Sequence, residues 1–453
     1  ALRISCKRAE FNQYAGHTYG KFDNIPLASK GWRHSRSRGD YFTIHGYQQN
    51  PAIIDPTESN KGFGDIGINE NIVRILERQN IVNPTIIQVD SIPAILQGHN
   101  TLVTAETGCG KTLAYLLPML QQIEVWKTML KERKFNRPLW FVSNVAMEFT
   151  RELGLNTSVI IGGHTRRKIF NPNYEDVDLL VASFGALSKL TTTGIISMKN
   201  VRHVVLDEAD TLLDDSFNAK LCHFLKRFPF VAQVNDALAA ILTTQLTLVS
   251  ATMPTSVSSI LEKIIESESL MKISTSHVHR LMPHVPQKFY RLSRSQKPAQ
   301  LLTMVKHNIA NKHPTIIFSN KASTCDWISM FLNESGVTSV NFNGKMALDI
   351  RTGKLKQFQS GAVDIISCTD IGSRGINTTR VKHVINYDFP LYIADYIHRC
   401  GRTGRVGRPE TAYVINLRFI TKINLVHKYE KAARKMEALP NVNANITRTI
   451  NER

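Results

Sequence analysis

The chain has 453 residues, of which 42% are hydrophobic, and a formal net charge of +19. The length predicts two domains with terminal extensions, and the charge favours a polyanionic partner, either a nucleic acid or an acidic membrane surface. No apolar run approaches the roughly 18 residues that span a bilayer, so a nucleic acid is the better expectation. The six cysteines include no CxxC pair, which argues against a zinc ribbon or a disulfide framework and fits a reducing compartment.

Residues 1–60 are polar and basic and lack a regular alternation of strands and helices. Arg33, Arg36 and Arg38 are interleaved with the aromatic residues Trp32 and Tyr41. We predict a basic N-terminal extension that either follows a nucleic acid strand or forms a poorly ordered tail. Its arginine-bearing, acid-poor start weakly resembles the remnant of a transit peptide.

A glycine-rich segment at residues 105–112 separates two apolar runs. The run before it, Asn100–Thr104, predicts a buried strand, and the run after it predicts a helix from about Leu113. Strand, glycine-rich turn, Lys-Thr and helix in this order are typical of a phosphate-binding P-loop, although Ala105 replaces the usual first glycine. The nucleotide-binding candidates in this loop are Thr107, Gly108, Cys109, Gly110, Lys111 and Thr112.

Each residue type in this loop suits a phosphate. Gly108 and Gly110 tolerate positive φ, so successive backbone N–H groups can point at one anion. Lys111 supplies a positive charge to the β- and γ-phosphates, and Thr112 offers a hydroxyl to Mg²⁺. We expect Cys109 to be a small filler residue rather than an oxidation-sensitive thiol.

A second apolar strand, residues 204–206, ends in acidic residues. Asp207 and Glu208 follow it directly, with Asp210 close behind. Unpaired carboxylates at the end of a buried strand are costly, and a metal–phosphate site explains them. We predict that Asp207 holds the water shell of Mg²⁺ and that Glu208 polarises a water for attack on the γ-phosphate.

Alternating strands and amphipathic helices predict α/β domains over residues 61–275 and 297–418, joined by a linker at 276–296. A basic tail fills residues 419–453, with a helix over 422–438 that either packs on the second domain or contacts the nucleic acid partner. Strands of the second domain are predicted at Thr315–Phe318, Ser339–Phe342, Val363–Ser367, Val381–Asn386 and Ala412–Leu417.

An arginine-rich segment lies near the end of the second domain. Arg399, Arg402, Arg405 and Arg408 are spaced by glycines, which predicts exposed guanidinium groups on an open backbone. Such groups suit the charge that develops on a transferring phosphoryl group. The alternative is a plain basic loop that touches nucleic acid nonspecifically.

Taken in order, these motifs resemble those of the DEAD-box ATP-dependent RNA helicases of superfamily 2. The resemblance runs from about Phe63 to about Ile415. It includes residues 84–88 (the Q motif), 207–210 (Asp-Glu-Ala-Asp), 250–252 (Ser-Ala-Thr), 162–163 (a glycine pair), 368–376 (motif V) and 398–405 (motif VI).

The resemblance implies an α/β fold of two tandem RecA-like domains, each a parallel sheet flanked by helices, with ATP and Mg²⁺ as cofactors. It implies that Phe63 and Gln88 select adenine, that Arg402 and Arg405 stabilise the γ-phosphoryl transition state, and that Asn377 meets the ribose. Ser250 and Thr252 would relay domain closure, and His398 would bridge the motifs. RNA-backbone contacts are implied for Gly163, Ser183, Gly185, Arg351, Thr369 and Arg374.

Three departures from the family pattern affect these expectations. The Pro-Thr-Arg-Glu-Leu element that contacts RNA phosphates is not found after Phe141, which indicates either a deletion at the Phe141–Val142 junction or an artefact of the gene model. Asn377 replaces an aspartate and loses a charge-assisted hydrogen bond. Residues 183–185 replace Thr-Pro-Gly, which softens a rigid turn.

Residues 26–32, 206–214 and 282–285 resemble the mitochondrial member of the family that is associated with the large mitoribosomal subunit. We therefore expect a monomeric RNA-stimulated ATPase of the mitochondrial matrix that remodels rRNA in large-subunit assembly intermediates, without membrane insertion. A nuclear or nucleolar location is the alternative. In function, the alternative is an ATP-gated RNA clamp with weak unwinding, and a DNA helicase is a distant third.

Overall fold

The structure is a computed structural model of the chain. It describes residues 1–20, 22–54, 61–129, 145–160, 177–196, 198, 201–213, 218–230, 243–252, 261–262, 264–370, 379–406, 412–418, 423–439 and 442. In the described residues, we find no helix that is both long and apolar enough to cross a bilayer.

The strands, in chain order, are β1 (Ile4–Cys6), β2 (Tyr41–Ile44), β3 (Asn100–Thr104), β4 (Thr157–Ile160), β5 (Leu179–Ala182), β6 (His203–Leu206), β7 (Gln245–Ser250), β8 (Leu270–Ser274), β9 (Gln287–Arg291), β10 (Thr315–Phe318), β11 (Ser339–Phe342), β12 (Ile365–Cys368), β13 (His383–Asn386) and β14 (Tyr413–Arg418).

The α-helices are α1 (Glu70–Arg78), α2 (Ile86–Leu96), α3 (Lys111–Met129), α4 (Val145–Glu152), α5 (Phe184–Thr192), α6 (Ala209–Leu212), α7 (Asn218–Leu225), α8 (Gln296–Ala310), α9 (Ala322–Glu334), α10 (Leu348–Ser360), α11 (Ile393–Cys400) and α12 (Ile423–Lys435). Short 3₁₀ helices include Ala28–Arg33 and Gly64–Ile66.

The chain divides into two compact units. Unit A consists mainly of Ala52–Ala105 and Cys109–Val278, and unit B consists mainly of Ala1–Pro51 and His279–Val442. In unit A, parallel strands follow the order β6-β7-β3-β8, and β4 pairs with β5. The strands β3, β5, β6 and β7 are buried along their whole length, because helices cover both faces of a parallel sheet. Their side chains form a core with Leu102, Leu180, Val204, Leu246 and Leu248.

Unit B contains a sheet in the order β1-β2-β9-β14-β13-β10-β12-β11. The strands from β9 to β11 are parallel, whereas β1 and β2 add to the edge of β9 as antiparallel strands. One face of the parallel part packs a core that includes Leu301, Ile317, Ile328, Ile365 and Ile385.

The N-terminal extension is folded into unit B. Tyr41 of β2 lies opposite Tyr290 of β9, and the ring of Phe42 stacks on Phe289 at a centroid distance of 4.7 Å. Trp32 is 1% exposed. Neither sequence expectation for the extension, a nucleic-acid arm or a poorly ordered tail, described this packing. Pairing between segments so far apart in the chain leaves no local pattern to read.

The C-terminal helix also packs in unit B. The Glu430 carboxylate of α12 accepts hydrogen bonds from the backbone N–H groups of Ala28 and Ser29, at 2.8 and 2.9 Å, and from Arg434 at 2.8 Å. Glu430 and Arg434 are both fully buried. The packing alternative for the predicted tail helix is therefore the one observed, and α12 fastens the N-terminal extension.

Several predicted strands have the predicted bounds, namely β3, β10 and β11. The linker expected at 276–296 differs, since β9 lies within it and is a full member of the unit B sheet. Five residues that alternate between buried and half-buried side chains are too few to outweigh the flanking prolines in a sequence pattern.

Candidate nucleotide and RNA sites

The P-loop has the backbone conformation that its glycines predict. Gly108 and Gly110 have φ values of +85° and +93°, which only glycine adopts without strain. A Cβ on Gly110 would lie 2.5 Å from Gln88 Nε2, so the close approach of another residue also requires glycine here. Lys111 Nζ donates to the Ala105 carbonyl at 2.7 Å, within the loop that it would serve.

Gln88 joins the Q motif to the P-loop. Its Oε1 accepts from the backbone N–H of Thr85 at 2.9 Å, and its Nε2 donates to the Gly110 carbonyl at 3.0 Å. Thr85 is the N-cap residue of α2, and the Gln88 side chain pairs its backbone N–H there. A primary amide has two N–H donors and two acceptor lone pairs, so this pairing uses half of its capacity. The remaining half suits the donor–acceptor edge of a base.

Phe63 and Cys109 are buried beside these elements. Phe63 is 2% exposed and precedes the 3₁₀ helix Gly64–Ile66. Cys109 is 1% exposed, and its thiol lies 3.9 Å from Lys111 Nζ. This burial agrees with the prediction that Cys109 fills space in the loop.

Asp207 and Thr112 are linked by a residue that sequence reasoning missed. The phenol of Tyr115 donates to Asp207 Oδ2 at 3.0 Å and lies close enough to the Thr112 side chain for that side chain to lower the pKa of the phenol. Tyr115 is fully buried on α3. Its position three residues after Thr112, on the same helix face, is the signal that could have identified it.

The charge state of Asp207 reflects its surroundings. Desolvation, followed by repulsion from Glu208, raises the pKa of Asp207 to about 6, although hydrogen bonds from Tyr115 and from the Glu208 backbone oppose the rise. An oxygen donor whose ionised form is penalised in this way gains from a nearby cation. The electrostatic environment of Asp207 therefore fits the role of holding a metal ion.

Glu208 has a strained backbone. Its φ is +52°, in the left-handed region that a non-glycine residue seldom adopts, and it caps the short helix α6. Its backbone N–H donates to Asp207 Oδ1 at 2.9 Å. Such strain is common where a side chain must be held in a functional direction.

The Ser-Ala-Thr segment after β7 contacts both the acidic segment and the P-loop. The Thr252 hydroxyl bonds to the Asp210 carboxylate, and Ser250 Oγ donates to the Thr252 carbonyl at 2.5 Å. The Ala105 N–H donates to the Ser250 carbonyl at 3.2 Å. Unit A thus brings Gln88, Lys111, Thr112, Asp207, Ser250 and Thr252 into one hydrogen-bonded region.

Arg399 in unit B corrects the expectation of four exposed arginines. It is fully buried, and its guanidinium donates to both carboxylate oxygens of Asp370 at 2.6 and 2.9 Å. It also donates to Asn320 Oδ1 and to the Asp388 carbonyl, each at 2.7 Å. Arg399 therefore connects the ends of three strands. Its N–H donors are all engaged within the protein, so none is available for an exposed phosphate contact.

The other described residues of this segment occupy α11 and the loop after it. His398 is 2% exposed and Arg402 is 6% exposed, so Arg402 also departs from the exposed fork expected. Arg402 Nε donates to the His398 carbonyl at 3.2 Å. Arg405 is half-buried, and its Nε donates to the Gly401 carbonyl at 3.2 Å.

The predicted RNA-contact residues are distributed between the units. In unit A, Ser183 caps α5 and Gly185 lies in its first turn. In unit B, the Thr369 Oγ1 is buried without a hydrogen-bond partner among the described residues, and Arg351 lies on α10 with its guanidinium 5.6 Å from the Phe342 ring. Gly163, Arg374, Asn377, Arg408 and the Phe141–Val142 junction lie outside the described residues.

Comparison with known proteins identifies the class. The family model "DEAD/DEAH box helicase" matches residues 85–260, and the model "Helicase conserved C-terminal domain" matches residues 296–407. The architecture and the P-loop region thus define a two-domain nucleotide-dependent helicase.

Individual relatives define the family. The chain is 36% identical to the probable ATP-dependent RNA helicases DDX28 of Mus musculus and Homo sapiens, covering 98% of this chain and 86% of each relative. It is 30% identical to the ATP-dependent rRNA helicase RRP3 of Yarrowia lipolytica, covering 79% of this chain and 72% of that protein. The chain belongs to the DEAD-box ATP-dependent RNA helicases, and it is an RNA-dependent ATPase.

Solved structures show the same fold. Mss116p bound to ssRNA and AMP-PNP is similar with a TM-score of 0.70 at 20% identity, covering 84% of this chain and 79% of that one. S. cerevisiae Dbp5 bound to RNA and ADP BeF3 has a TM-score of 0.66 at 20% identity, covering 85% of this chain and 94% of that one. The predicted pair of RecA-like domains with parallel sheets is confirmed.

Proposed function

We propose that this helicase couples ATP binding and hydrolysis to local unwinding of RNA duplexes or remodelling of RNA–protein complexes. The observation that carries the proposal is the group of Thr112, Tyr115 and Asp207 beside the P-loop, in which Tyr115 donates to Asp207 and lies beside Thr112. It joins the residue types that bind phosphate and metal on α3 to the acidic end of β6.

Mg²⁺ fits this group. The Thr112 hydroxyl and the Asp207 carboxylate are hard oxygen donors, which Mg²⁺ prefers, and water and phosphate oxygens would complete its shell. The raised pKa of Asp207 indicates a carboxylate whose negative charge is only partly compensated by its protein neighbours. When bound, the cation would neutralise charge on the β- and γ-phosphates.

The chain's own residues have separable roles in the proposed cycle. Lys111 binds the phosphates, and the Gln88 amide presents its unused donor and acceptor to adenine beside Phe63. Glu208 accepts a proton from the attacking water. Ser250 and Thr252 transmit the state of the acidic segment to the rest of the chain, since Thr252 bonds to Asp210.

We propose that Arg402 and Arg405, on the loop after His398, stabilise the negative charge that develops on the γ-phosphoryl group. Guanidinium groups match phosphoryl oxygens in geometry and charge, and they retain their charge throughout the working pH range. Asn377 would meet the ribose. RNA backbone contacts are proposed for Gly163, Ser183, Gly185, Arg351, Thr369 and Arg374, which implies little readout of base sequence.

The RNA we propose is ribosomal RNA in assembly intermediates of the large mitoribosomal subunit, bound by a monomer in the mitochondrial matrix. Three observations support this. The net charge is +19, a curated relative is an rRNA helicase, and residues 282–285 belong to the runs that resemble the mitochondrial subgroup. A nuclear or nucleolar site of action is the alternative.

The competing function is an ATP-gated RNA clamp that unwinds weakly or not at all. The short Phe141–Val142 junction and Asn377 favour it, since both weaken the expected RNA and nucleotide contacts. An ATPase assay coupled to strand displacement on a short duplex separates the two, with Lys111→Ala as the inactive control. Displacement that requires ATP supports the helicase. RNA-stimulated turnover without displacement supports the clamp.

A further inference from the structure

Two side chains from distant parts of unit B converge on one carbonyl of the arginine loop, which we define as residues 401–405. His284 Nε2 lies 2.7 Å from the Gly404 oxygen, and Asn50 Nδ2 donates to the same oxygen at 3.3 Å. Gly404 sits between Arg402 and Arg405 in sequence. Both contacts therefore bear on the backbone that carries the two functional arginines.

Close packing reinforces these hydrogen bonds. Gly404 has a φ of +63°, and a Cβ added to it would lie 2.3 Å from Val285 Cγ2 and 3.0 Å from His284 Nε2. The loop is thus seated directly against residues 282–285, which we call the brace. The approach is too close for any side chain at position 404, so the hydrogen bond to His284 depends on glycine.

The N-terminal extension also contacts the brace. The Tyr47 N–H donates to the Pro283 carbonyl at 2.9 Å, and a Cβ on Gly46 would lie 2.9 Å from the His284 carbonyl oxygen. The extension is itself fixed by the pairing of β2 with β9 and by the buried Glu430 carboxylate. A continuous chain of contacts therefore links the extension to the arginine loop.

The protonation state of His284 is defined by its surroundings. Burial lowers the pKa of His284, and its Nδ1 is buried without a hydrogen-bond partner among the described residues. A charged imidazolium would leave an N–H donor unpaired there, which is costly, whereas the neutral ring leaves only a lone pair. His284 is thus a neutral donor through Nε2.

We propose that His284, together with Asn50 and the N-terminal extension, positions Arg402 and Arg405 for ATP hydrolysis. His284 is a positioning residue, because it acts through the Gly404 backbone. The inference rests on the proposed role of these arginines. It gives the extension a function in catalysis, since preorganised groups avoid the loss of rate, on the order of 10²-fold, that follows a misplacement of about 1 Å.

The test compares His284→Ala with His284→Gln, whose amide can place an N–H near the position of Nε2. We expect the kcat of RNA-stimulated ATP hydrolysis to fall roughly 10- to 100-fold in His284→Ala and to recover substantially in His284→Gln. Binding of a non-hydrolysable ATP analogue and of single-stranded RNA should remain within about twofold of wild type. His34→Ala, an exposed histidine of the same extension, is the matched control.

A double-mutant cycle shows whether His284 acts through the arginines. If it does, the loss caused by His284→Ala should be clearly smaller in the Arg405→Ala background than in the wild type, because only Arg402 then remains to be positioned. Losses that multiply in the double variant would overturn the inference, as would a wild-type kcat in His284→Ala. Asn50→Ala provides a milder variant if His284→Ala unfolds. If His284→Ala and Asn50→Ala both lose stability and analogue binding in parallel, the positioning role is also overturned.

Measurements on the wild type and on Arg405→Ala separate the proposed function from the positioning role of His284. Absence of RNA-stimulated hydrolysis in the wild type would contradict the proposed function. A wild-type rate in Arg405→Ala would remove the arginine role on which the positioning depends. When the wild type hydrolyses ATP with RNA stimulation and Arg405→Ala is slower, the rates of His284→Ala and His284→Gln decide whether His284 positions the arginines.

Discussion

The phenol oxygen of Tyr115 lies 3.0 Å from Asp207 Oδ2 and beside the Thr112 side chain, so one tyrosine lies next to both residues proposed to hold Mg²⁺. Burial and the Asp207 carboxylate raise the pKa of Tyr115 well above its usual value, so it remains a neutral donor. Its hydrogen bond favours the ionised form of Asp207. Tyr115 therefore helps to keep a crowded carboxylate ready for a cation.

Removing this hydrogen bond should alter the pH dependence of catalysis. Hydrolysis requires ionised Asp207, whose pKa is about 6 in the ligand-free chain, so activity should fall as pH decreases through that region. Tyr115→Phe removes a stabilising donor and should move the acidic limb of kcat/KM for ATP to higher pH. Steady-state kinetics between roughly pH 5 and pH 9 would measure the shift. An unchanged limb would contradict the role given to Tyr115.

Asp207→Asn should stabilise the ligand-free protein while abolishing hydrolysis. Because the folded pKa of Asp207, about 6, exceeds the reference value of 3.8, its charge disfavours folding above pH 6. That penalty decreases as pH falls from 6 toward 4, where the folded state keeps a proton that the unfolded state loses. Thermal unfolding should thus give a higher Tm for the variant at about pH 7.5 and a smaller difference at about pH 5. A lower Tm at both values would argue against a strained carboxylate.

Arg399 should be essential for the stability of unit B rather than for chemistry alone. Lysine retains the charge but cannot reach Asp370, Asn320 and the Asp388 carbonyl together. Arg399→Lys should reduce the free energy of unfolding by roughly 3 kcal/mol, because a fully buried cation would lose most of the hydrogen bonds that Arg399 makes to the half-buried Asp370 and Asn320 and to the Asp388 carbonyl. Chemical denaturation followed by tryptophan fluorescence measures this. Arg405→Lys is the control, and equal stability of the two variants would contradict the structural role.

The buried Glu430 should determine whether the N-terminal extension stays attached. Glu430→Gln keeps the shape of the side chain but removes the negative charge that balances Arg434. It also replaces one of the two oxygens that accept hydrogen bonds from the Ala28 and Ser29 N–H groups. We expect faster proteolysis within residues 1–51 and a loss of roughly 3 kcal/mol in the free energy of unfolding. Glu437→Gln, an exposed neighbour on the same tail, should behave as wild type. Equal proteolysis rates in the two variants would contradict the attachment.

Sequence patterns located the nucleotide-binding elements because their physics is local. β3, β10 and β11 are parallel strands that each carry apolar residues with high strand preference, such as Val103, Ile316 and Val340. The turn that follows β3 requires glycine at positions 108 and 110, and this requirement is visible in the residue types alone. The same holds for the acidic residues that end β6.

The remaining features depend on contacts between distant segments. The pairing of β2 with β9 joins residues 41–44 to residues 287–291, and nothing in either segment predicts the other. Arg399 looks like its neighbours in sequence, but Asp370 and Asn320 are brought to it by the sheet. His284 lies in a run that resembles the mitochondrial subgroup, but its hydrogen bond to Gly404 follows only from the fold.

The central claim is that Glu208 is the base of an RNA-stimulated ATPase, and Glu208→Gln tests it most directly. Single-turnover hydrolysis should be measured together with retention of labelled ATP and single-stranded RNA on the protein. We expect hydrolysis to fall by roughly 10²-fold or more, while ATP and RNA remain bound together. Hydrolysis by Glu208→Gln at the wild-type rate would contradict it.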